Sequence, residues 1–375
     1  MLLKTIIFIA LSINVTSGIR ICQDCMSIKD CEPALSLAIY KKKPETVQLL
    51  TRACCGHDGE LPKVCCDDFI LSRISIDQEN EINTGNEVNI GDEIETHHNI
   101  NLLSGECGDG TGDRIVGGTS ASLYQFPWLV LVRYKEGNDL VFRCGGTLIN
   151  SRYVLTAAHC IKEQNVFSVR IGEYDLENDI DCTGTGENRD CSEGHQDILV
   201  AESICHKDYA EKTVFVNDIG LLRLRSAANL SYRNAGVICL PITKALQEQN
   251  IYGERGVVAG WGFTETQSNS NVPLTVDFPV YSKNMCVEHY SRYHQNNEIT
   301  VQLNNTFCAG ELGRDSCKGD SGGPLMMEGP YSKTYKIIQF GIVSYGYSDK
   351  CGSEIPGVYT DVRKFMKWIL DTIKP

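Results

Sequence analysis

The chain has 375 residues, 42% of them hydrophobic, which is enough for one large or two unequal domains with a sizeable core. Its formal net charge is −13, and residues 67–113 hold twelve Asp or Glu against one Arg, a local balance of −11. Because the sequence contains no basic patch and no basic amphipathic stretch, the composition excludes a nucleic-acid-binding protein and a membrane-surface protein.

The first predicted element is a secretory signal peptide over residues 1–18. Lys4 precedes an apolar run at 6–11, and small residues at 16–18 come just before Ile19. A transmembrane anchor is the alternative, but the run is too short to span a bilayer and no later stretch reaches about twenty apolar residues. We therefore expect a secreted chain, with the cut after residue 18 or one residue earlier.

The cysteine content agrees with an oxidising compartment. Eighteen cysteines would be mostly paired there, and a cytosolic zinc protein is the competing interpretation. The spacings do not give a pair of CxxC knuckles, which argues against zinc. Seven of the cysteines fall within residues 22–66, a segment too short for a large core, so we expect a small domain held together by disulfides.

Next in chain order comes a segment that predicts a solvated linker. Residues 67–106 have no cysteine and one aromatic residue, Phe69, and are rich in Asn, Glu, Asp and Gly without a sustained apolar period. The segment runs into GTGDRIVGG at 110–118, where Arg114 is followed at once by an apolar pair. An exposed linker thus adjoins a stretch suited to burial.

From residue 115 to the end, the composition is globular and predicts β structure. The β-branched or aromatic runs lie at 129–134, 153–156, 257–259 and 336–343, and clusters of Gly, Asn, Pro and Ser separate them. Many short strands over about 250 residues indicate a sandwich or closed barrels. The tail at 362–373 differs, because it has apolar residues at helical spacing: Val362, Phe365, Ile369 and Ile373, with Trp368 beside them. This spacing predicts a terminal helix that docks on one face.

Three short stretches far apart in this β region carry residues for nucleophilic catalysis: TAAHC (156–160), NDI (217–219) and DSCKGDSGGP (315–324). A hydroxyl such as that of Ser321 needs a base, and His159 is a natural base near neutral pH. A buried acid such as Asp218 fixes the His tautomer, and glycines beside the Ser let backbone N–H groups converge on an oxyanion. Each residue alone has an ordinary structural explanation, but the joint match is highly specific.

On these motifs, residues 115–375 resemble the chymotrypsin-like (S1) serine proteases over their whole length. The matching stretches are IVGG (115–118), TAAHC, NDIGLLRL (217–224), VAGWG (258–262), GDSGGP (319–324) and PGVYT (356–360). The resemblance implies an all-β fold of two antiparallel β-barrels with a C-terminal helix and a site in the cleft between the barrels. It also implies that His159 is the base, Asp218 its orienter and Ser321 the nucleophile, with the N–H groups of Gly319 and Ser321 forming the oxyanion hole. The chemistry needs no cofactor.

Residues 22–66 resemble a second family, the clip domains of arthropod serine proteases, mostly by cysteine spacing. The pattern consists of Cys22, Cys25, Cys31, the pair Cys55-Gly56 and the doublet Cys65-Cys66. With a linker and activation segment at 67–114 and a protease domain at 115–375, the chain resembles the clip-domain proteases of haemolymph cascades, which activate prophenoloxidase or the cytokine that triggers Toll signalling. The resemblance implies secretion into haemolymph, protein substrates, an upstream activating protease and serpin inhibitors, and neither nucleic acid nor membrane as a partner.

The resemblance also implies the specificity. Asp315 lies six residues before the nucleophile, where trypsin-like members carry an acid. A carboxylate on the floor of a narrow pocket selects a cation, so we expect cleavage after Arg or Lys. Gly346 and Gly357 match walls that leave room for a long side chain. The chain departs from the family pattern at Tyr345, where Trp is usual and which bears on the upstream part of the substrate, and at Gly220, which replaces an Ala.

The stretch GTGDRIVGG gains an explanation from this family, whose members are made inactive and activated by a cut before Ile-Val-Gly-Gly. The bond expected to be cut joins Arg114 to Ile115. The resemblance implies that the new amine of Ile115 folds inward and pairs with Asp320, which orders the oxyanion hole and the pocket walls. The linker is exposed so that it can be cut, and the apolar pair becomes buried.

An acidic loop at 173–181 has acids on alternate positions. The equivalent loop in several family members binds calcium, which prefers carboxylate and carbonyl oxygens. The resemblance implies side-chain ligands from Glu173 and Asp181 and backbone carbonyls from Asp175 and Asn178. A solvated acidic loop without an ion is an equal alternative.

The resemblance implies a disulfide pattern as well. The pairs are Cys22–Cys65, Cys25–Cys55, Cys31–Cys66, Cys107–Cys239, Cys144–Cys160, Cys182–Cys191, Cys286–Cys308 and Cys317–Cys351. Cys54 and Cys205 are left over, and they are either free, paired with other chains or bridged to each other. Two N-glycosylation motifs start at Asn229 and Asn304.

The leading functional hypothesis is a trypsin-like endopeptidase zymogen in an extracellular cascade, ending in melanisation or Toll signalling. An inactive protease homologue that serves as an adaptor through its clip domain is the alternative. The presence of His159, Asp218, Ser321 and Asp315 favours an enzyme. A digestive trypsin is a third hypothesis, and the clip domain and the long linker argue against it.

Overall fold

The computed structural model describes residues 25–27, 54–58, 61–65, 90–103, 105–110, 119–211, 215–262, 270–293, 305–311, 319–331, 334–346 and 355–375. The chain divides into two compact units, Met1–Val88 and Asn89–Pro375. In the part of the chain so described, no helix is long and apolar enough to cross a membrane.

The N-terminal unit contains a three-stranded antiparallel sheet in the order β1-β3-β2. The strands are β1 (Cys25–Ser27), β2 (Cys54–Asp58) and β3 (Leu61–Cys65). Val64 of the central strand is buried. The cysteine side chains of this unit lie outside the described ones, so its three expected disulfides stay predictions.

The larger unit begins with a closed barrel of six antiparallel strands. In chain order they are β5 (Leu129–Glu136), β6 (Asp139–Asn150), β7 (Tyr153–Thr156), β8 (Val166–Ile171), β11 (Gln196–Cys205) and β14 (Gly220–Leu224). The barrel order is β11-β14-β7-β6-β5-β8, and β8 pairs with β11 to close it. Closure leaves no unpaired edge within these six strands.

A second set of strands forms a seven-stranded sheet in the order β15-β18-β19-β20-β17-β16-β4. The strands are β4 (Thr119–Ser120), β15 (Arg255–Gly260), β16 (Leu274–Tyr281), β17 (Thr306–Ala309), β18 (Pro324–Tyr331), β19 (Thr334–Tyr345) and β20 (Gly357–Asp361). Because β15 also pairs with β16, six of them close into a second barrel, and β4 pairs with β16. The expected two-barrel all-β fold is confirmed, and the runs predicted as strands lie within β5, β7, β15 and β19.

Short elements connect these strands. They are the helices α1 (Ile90–Glu95), α2 (Lys244–Glu248), α3 (Lys283–Tyr293) and α4 (Met366–Thr372), the 3-10 turns Ile100–Leu102, Ala158–Cys160, Gly186–Asn188 and Val362–Phe365, and the strand pairs β9 (Cys182–Thr183) with β10 (Asp190–Cys191) and β12 (Ala210–Glu211) with β13 (Phe215–Val216). One apolar core cluster includes residues of both barrels.

The C-terminal tail docks as its spacing predicts. It starts as a 3-10 turn, in which the Asp361 carboxylate accepts a hydrogen bond from the Arg363 N–H, and continues as α4. The four residues at helical spacing are fully buried or nearly so: Val362, Phe365, Ile369 and Ile373. Their burial in the main core fixes this helix to the protease unit.

The structure differs from the linker prediction at residues 90–103, which pack on the larger unit. Ile94 of α1 is 1% exposed and belongs to the main core. The Asn99 amide donates to the carbonyls of Leu370 and Ile373 at the end of α4, at 2.9 and 3.1 Å. A six-residue helix and one 3-10 turn are too short to show an apolar period. The polar composition of this segment therefore did not predict that it packs on the core.

Four of the expected disulfides are confirmed: Cys107–Cys239, Cys144–Cys160, Cys182–Cys191 and Cys286–Cys308. The Cys317–Cys351 pair lies outside the described residues. Among the described residues, Cys205 is a free, half-buried thiol. Burial raises the pKa of this thiol, with a smaller opposing effect of Lys162.

Candidate active site

His159 and Asp218 form a hydrogen-bonded pair. The Nδ1 atom of His159 lies 2.7 Å from Oδ2 of Asp218, and the backbone N–H of His159 donates to Oδ1 at 2.9 Å. His159 sits in the 3-10 turn after β7, and Asp218 lies between β13 and β14. These strands bring the two residues together because β7 and β14 are neighbours, with Thr156 opposite Gly220.

The turn before Asp218 has a left-handed residue. Asn217 has φ of 50°, a conformation that Asn tolerates better than most side chains. Its amide donates to the Asp208 carbonyl at 3.1 Å, and its Oδ1 accepts from the amide of Asn305 at 2.8 Å. Both bonds hold the turn that points the Asp218 carboxylate inward.

Asp218 is buried, at 1% exposure, and two further hydroxyls bond to it. Ser344 donates to the carboxylate at Oδ2, and Thr360 donates to the backbone carbonyl at 2.8 Å. A buried carboxylate is costly unless hydrogen bonds replace its hydration, and Ser344 supplies part of this replacement. The sequence analysis did not identify either residue, although both adjoin singled-out motifs: Ser344 precedes Tyr345, and Thr360 ends PGVYT.

The turn around Ser321 packs against the strands that carry His159. Gly322 has φ of 80°, and a Cβ there would lie 2.2 Å from Thr156 Oγ1 and 2.5 Å from the Gly145 carbonyl oxygen. The Ser321 carbonyl accepts from the Gly145 N–H at 2.8 Å. Only glycine allows this approach, which brings the Ser321 turn to the end of β7, next to the His159 turn.

Gly319 and Ser321 have backbone N–H groups that donate to no carbonyl of the described residues. Gly319 has φ of 100°, and a Cβ there would lie 3.0 Å from the Cα of Gly262. The left-handed conformation again favours glycine, so Gly319 and Gly322 are geometric requirements of this turn.

Asp320 has a carboxylate enclosed by glycine backbone. The N–H of Gly262 donates to its Oδ1 at 3.0 Å. A Cβ at Gly260 would lie 2.4 Å from this oxygen, and one at Gly262 would lie 2.5 Å from both carboxylate oxygens. The VAGWG stretch therefore forms a close-fitting wall around this acid.

Aromatic rings surround His159. The Phe215 ring is stacked on the imidazole, with centroids 5.0 Å apart and 14° between the planes. Tyr345 packs edge-on against Phe215 at 5.8 Å and 89°, and Tyr209 packs at 6.3 Å. Burial raises the pKa of Tyr345 and of Tyr209. The sequence analysis singled out Tyr345 but not Phe215.

The structure describes two of the residues expected to determine specificity, Gly346 and Gly357. Gly346, next to Tyr345 at the end of β19, is exposed, and a Cβ there would meet nothing within 4 Å. Gly357 is buried at the start of β20. Asp315, Arg114 and Ile115 lie outside the described residues.

The acidic loop is only partly solvated. The Glu173 side chain is 1% exposed, accepts from Arg170 at 3.0 Å and lies 3.7 Å from Nδ1 of His195. Asp181 is 7% exposed, and its Oδ1 accepts from the Asp175 N–H at 3.3 Å. Burial, together with the nearby charges of Glu173 and Asp175, raises the pKa of Asp181 to about 6.

The remaining predicted sites are at the surface or outside the described residues. Asn178 is exposed, and its amide donates to the Asp175 carboxylate at 2.7 Å. Asn229 is exposed, and its Oδ1 accepts from the hydroxyl of Ser231 at 2.8 Å. Asn304 is outside the described residues.

Comparisons with known proteins agree with this geometry. The Trypsin family model matches residues 115–369, and the model of the regulatory CLIP domain of proteinases matches residues 24–66. The chain is 36% identical to CLIP domain-containing serine protease HP8 of Bombyx mori, over 94% of this chain and 91% of that protein. It is 34% identical to phenoloxidase-activating enzyme 1 of Spodoptera litura, over 93% and 91%. The crystal structure of the Drosophila Grass clip serine protease of the Toll pathway superposes with a TM-score of 0.62 at 30% identity, covering 93% of this chain and 92% of that one.

Proposed function

The chain belongs to the trypsin family of serine proteases and carries a CLIP domain, and we propose that it is a secreted zymogen that cleaves proteins after Arg or Lys. In this proposal a cut between Arg114 and Ile115 activates it within an extracellular immune cascade. The relatives named for phenoloxidase activation and for the Toll pathway support such a role. Its partners are an upstream protease, a downstream zymogen or pro-cytokine, and serpins.

The observation that carries the catalytic proposal is the hydrogen bond of His159 to the buried Asp218 beside the Ser321 turn. His159 takes the Ser321 hydroxyl proton as the oxygen attacks the scissile carbonyl, and then gives it to the leaving amine. The Asp218 carboxylate accepts a hydrogen bond from the Nδ1–H of His159, which leaves Nε2 unprotonated to act as the base and stabilises the imidazolium.

Gly319 and Ser321 are proposed to bind the oxyanion. Their N–H groups donate to no carbonyl of the described residues, so they are available to stabilise the negative charge that develops on the substrate oxygen. Donors held in place by a fixed turn need no reorganisation during the reaction.

Asp315 is proposed as the carboxylate that selects Arg or Lys, with Gly346 and Gly357 as pocket walls. A Cβ at Gly346 would meet no atom of the described residues within 4 Å, which supports a wall that admits a long side chain. For activation, we propose that the Ile115 amine pairs with Asp320. The Gly262 N–H, which donates to Oδ1 of Asp320 at 3.0 Å, supports a carboxylate held in a fixed position for such a pair.

The acidic loop is proposed to bind a structural calcium ion. Its donor set fits, because two buried carboxylates, Glu173 and Asp181, share the loop. Glu173 and Asp181 would supply side-chain oxygens, and Asp175 and Asn178 would supply carbonyls.

If the loop binds calcium, millimolar calcium should raise the melting temperature of the protein, and Glu173→Gln should remove this rise. Glu177→Gln, at an exposed position of the same loop, is the control and should keep it.

We test the protease proposal by activation and turnover. The secreted protein is treated with a trypsin-like protease, sequenced at its new N-terminus and assayed on a small arginine substrate. Wild type should gain activity together with an N-terminus of Ile115, and Ser321→Ala should be cut at the same bond and stay inactive. Arg114→Gln should stay one chain without activity. Full activity of Arg114→Gln would overturn the zymogen proposal, and an inactive, correctly cut wild type would favour the adaptor alternative.

Peptide mapping before and after glycosidase treatment tests whether Asn229 and Asn304 carry glycans.

A further inference from the structure

His159 has a second neighbour besides Asp218. The Phe215 ring lies face to face with the imidazole, at 5.0 Å between centroids and 14° between planes. The His159 side chain is 18% exposed, so protein covers most of it. One face of the proposed base thus rests on an aromatic ring.

The hydrogen bond to Asp218 does not by itself fix the plane of the imidazole. It fixes Nδ1 at 2.7 Å from the carboxylate, and hydrogen bonds tolerate a broad range of angles at the acceptor. A base must lie within about 2.6–3.2 Å of the group that gives up its proton, so a tilt that moves Nε2 away slows the transfer. A flat ring against the imidazole restricts this tilt.

Phe215 is itself held from both barrels. It lies on β13, opposite Glu211 of β12, beside the first barrel. Tyr345, at the end of β19 in the second barrel, places its ring edge-on at 5.8 Å and 89°, and the Tyr209 ring lies at 6.3 Å and 48°. Edge-to-face and tilted arrangements at such separations are attractive, so the Phe215 ring has a defined position.

We propose that Phe215 is a positioning residue for His159. Its ring restricts the tilt of the imidazole about the Nδ1 hydrogen bond to Asp218. Its π face also stabilises the imidazolium that forms when His159 accepts the proton, since a cation within about 6 Å of a ring centroid is attracted to it. The inference rests on the proposed protease function.

The experiment uses activated enzyme and probes that lack any residue before the arginine. The first is a small arginine ester, for which kcat and KM are measured. The second is a fluorophosphonate, in which the Ser321 oxygen bonds to phosphorus, fluoride leaves and His159 takes the hydroxyl proton. Neither probe offers a peptide side chain to Phe215, so a lost substrate contact cannot explain a slow reaction.

Phe215→Leu removes the ring but keeps an apolar side chain. We expect kcat for the ester to fall about three- to tenfold, with KM changed less than about twofold, and inactivation to slow by the same factor. Phe215→Tyr retains the ring and should keep most of the wild-type rate. Phe167→Leu, at a partly exposed Phe on β8, is the matched control and should react like wild type. Melting temperatures show whether each variant is folded. Phe215→Met, which also removes the ring, replaces Phe215→Leu in these assays if the leucine variant does not fold.

The outcomes separate the two proposals. Equal rates in wild type and Phe215→Leu would overturn the positioning role alone, as would a Phe215→Tyr variant as slow as the leucine one. A change confined to KM would also overturn it, because a positioning role acts on the chemical step. If activated wild type neither turns over the ester nor takes up the fluorophosphonate, the protease proposal fails and this inference fails with it.

Discussion

At the scale of single residues, the site is organised around the charge of Asp218. Its carboxylate accepts from the His159 backbone, from His159 Nδ1 and from the Ser344 hydroxyl, in a position that is 1% exposed. These donors replace hydration, and the direction of the Nδ1 bond sets which imidazole nitrogen can act as the base. Two predictions separate these contributions.

Asp218→Asn should keep the fold and lose activity. An amide at this position can donate to Nδ1, which stabilises the tautomer with its proton on Nε2 and so removes the base. We expect kcat to fall by about 10⁴-fold, a magnitude established for this family's triad rather than for this chain. Kinetics on an arginine substrate check the loss, and an unchanged melting temperature excludes misfolding. A variant that turns over within tenfold of wild type would contradict the assigned role of Asp218.

Ser344→Ala tests the donor that the sequence analysis did not identify. Removing the hydroxyl leaves the buried Asp218 with one donor fewer, and bonds to charged groups contribute about 1.5–3 kcal/mol. We expect kcat to fall about tenfold, the equivalent of about 1.4 kcal/mol, with KM little changed. Ser168→Ala is the control, because Ser168 is equally buried on β8 and its hydroxyl has no partner in the described structure. Equal kcat values in the two variants would show that the Ser344 bond does not support catalysis.

At the scale of elements, the C-terminal tail packs against the first barrel through His206, the residue after β11. The His206 ring packs against Phe365 and Trp368, with both centroid separations at 5.3 Å. Its Nδ1 accepts from the Asp208 N–H at 3.2 Å, which requires this nitrogen to be unprotonated. Burial lowers the pKa of His206, against a smaller raising effect of Asp208 and alongside a lowering effect of Lys207.

The lowered pKa of His206 gives a pH dependence of stability. The unfolded chain binds the proton near the ordinary value of 6.5, whereas the folded chain binds it only at lower pH. The stabilisation is therefore complete above this value and is lost as the pH falls below it. Between about pH 7.5 and about pH 5.5, the melting temperature should fall less in His206→Phe than in wild type. His289→Phe, at a His stacked on Tyr281, is the control. Parallel curves for wild type and His206→Phe would contradict this account.

At the scale of the whole molecule, the segment before the proposed activation site is part of the larger unit. Besides the Cys107–Cys239 disulfide, Gly108 bonds to Val237 at 2.8 Å and to Ile337 at 3.1 Å. Upstream, His97 lies 2.9 Å from Asp371. Disulfide, backbone and side-chain contacts thus hold the same segment.

After a cut at Arg114, this segment should stay bound even without the disulfide. In a Cys107→Ser/Cys239→Ser variant, the two chains should separate on a denaturing gel without reductant yet co-elute in native size-exclusion chromatography. Adding Ile94→Asp should release the light chain, because Ile94 is 1% exposed in the core and a buried unpaired carboxylate is costly. Separate elution of the double cysteine variant would mean that the disulfide alone holds the chains.

The strand runs of the sequence predicted a β fold, and its motifs carried the family resemblance that implied the two barrels, the candidate triad and the four disulfides that the structure confirms. Strand runs such as 153–156 coincide with β7, and the glycines of GDSGGP occupy positions where a Cβ at residue 322 would lie 2.2 Å from Thr156. Glycine at a left-handed, crowded position is a steric requirement, and such requirements are visible in sequence.

Only the tertiary structure decided the surroundings of His159 and the position of residues 90–103. Phe215 of β13 lies there with Ser344 and Tyr345 of β19, and no local spacing relates the two strands. Ile94 is buried in a six-residue helix whose neighbours are polar, so its burial depends on a surface that distant residues build. Strand pairing between residues far apart in the chain creates these contacts, and a pattern confined to one stretch carries no information about them.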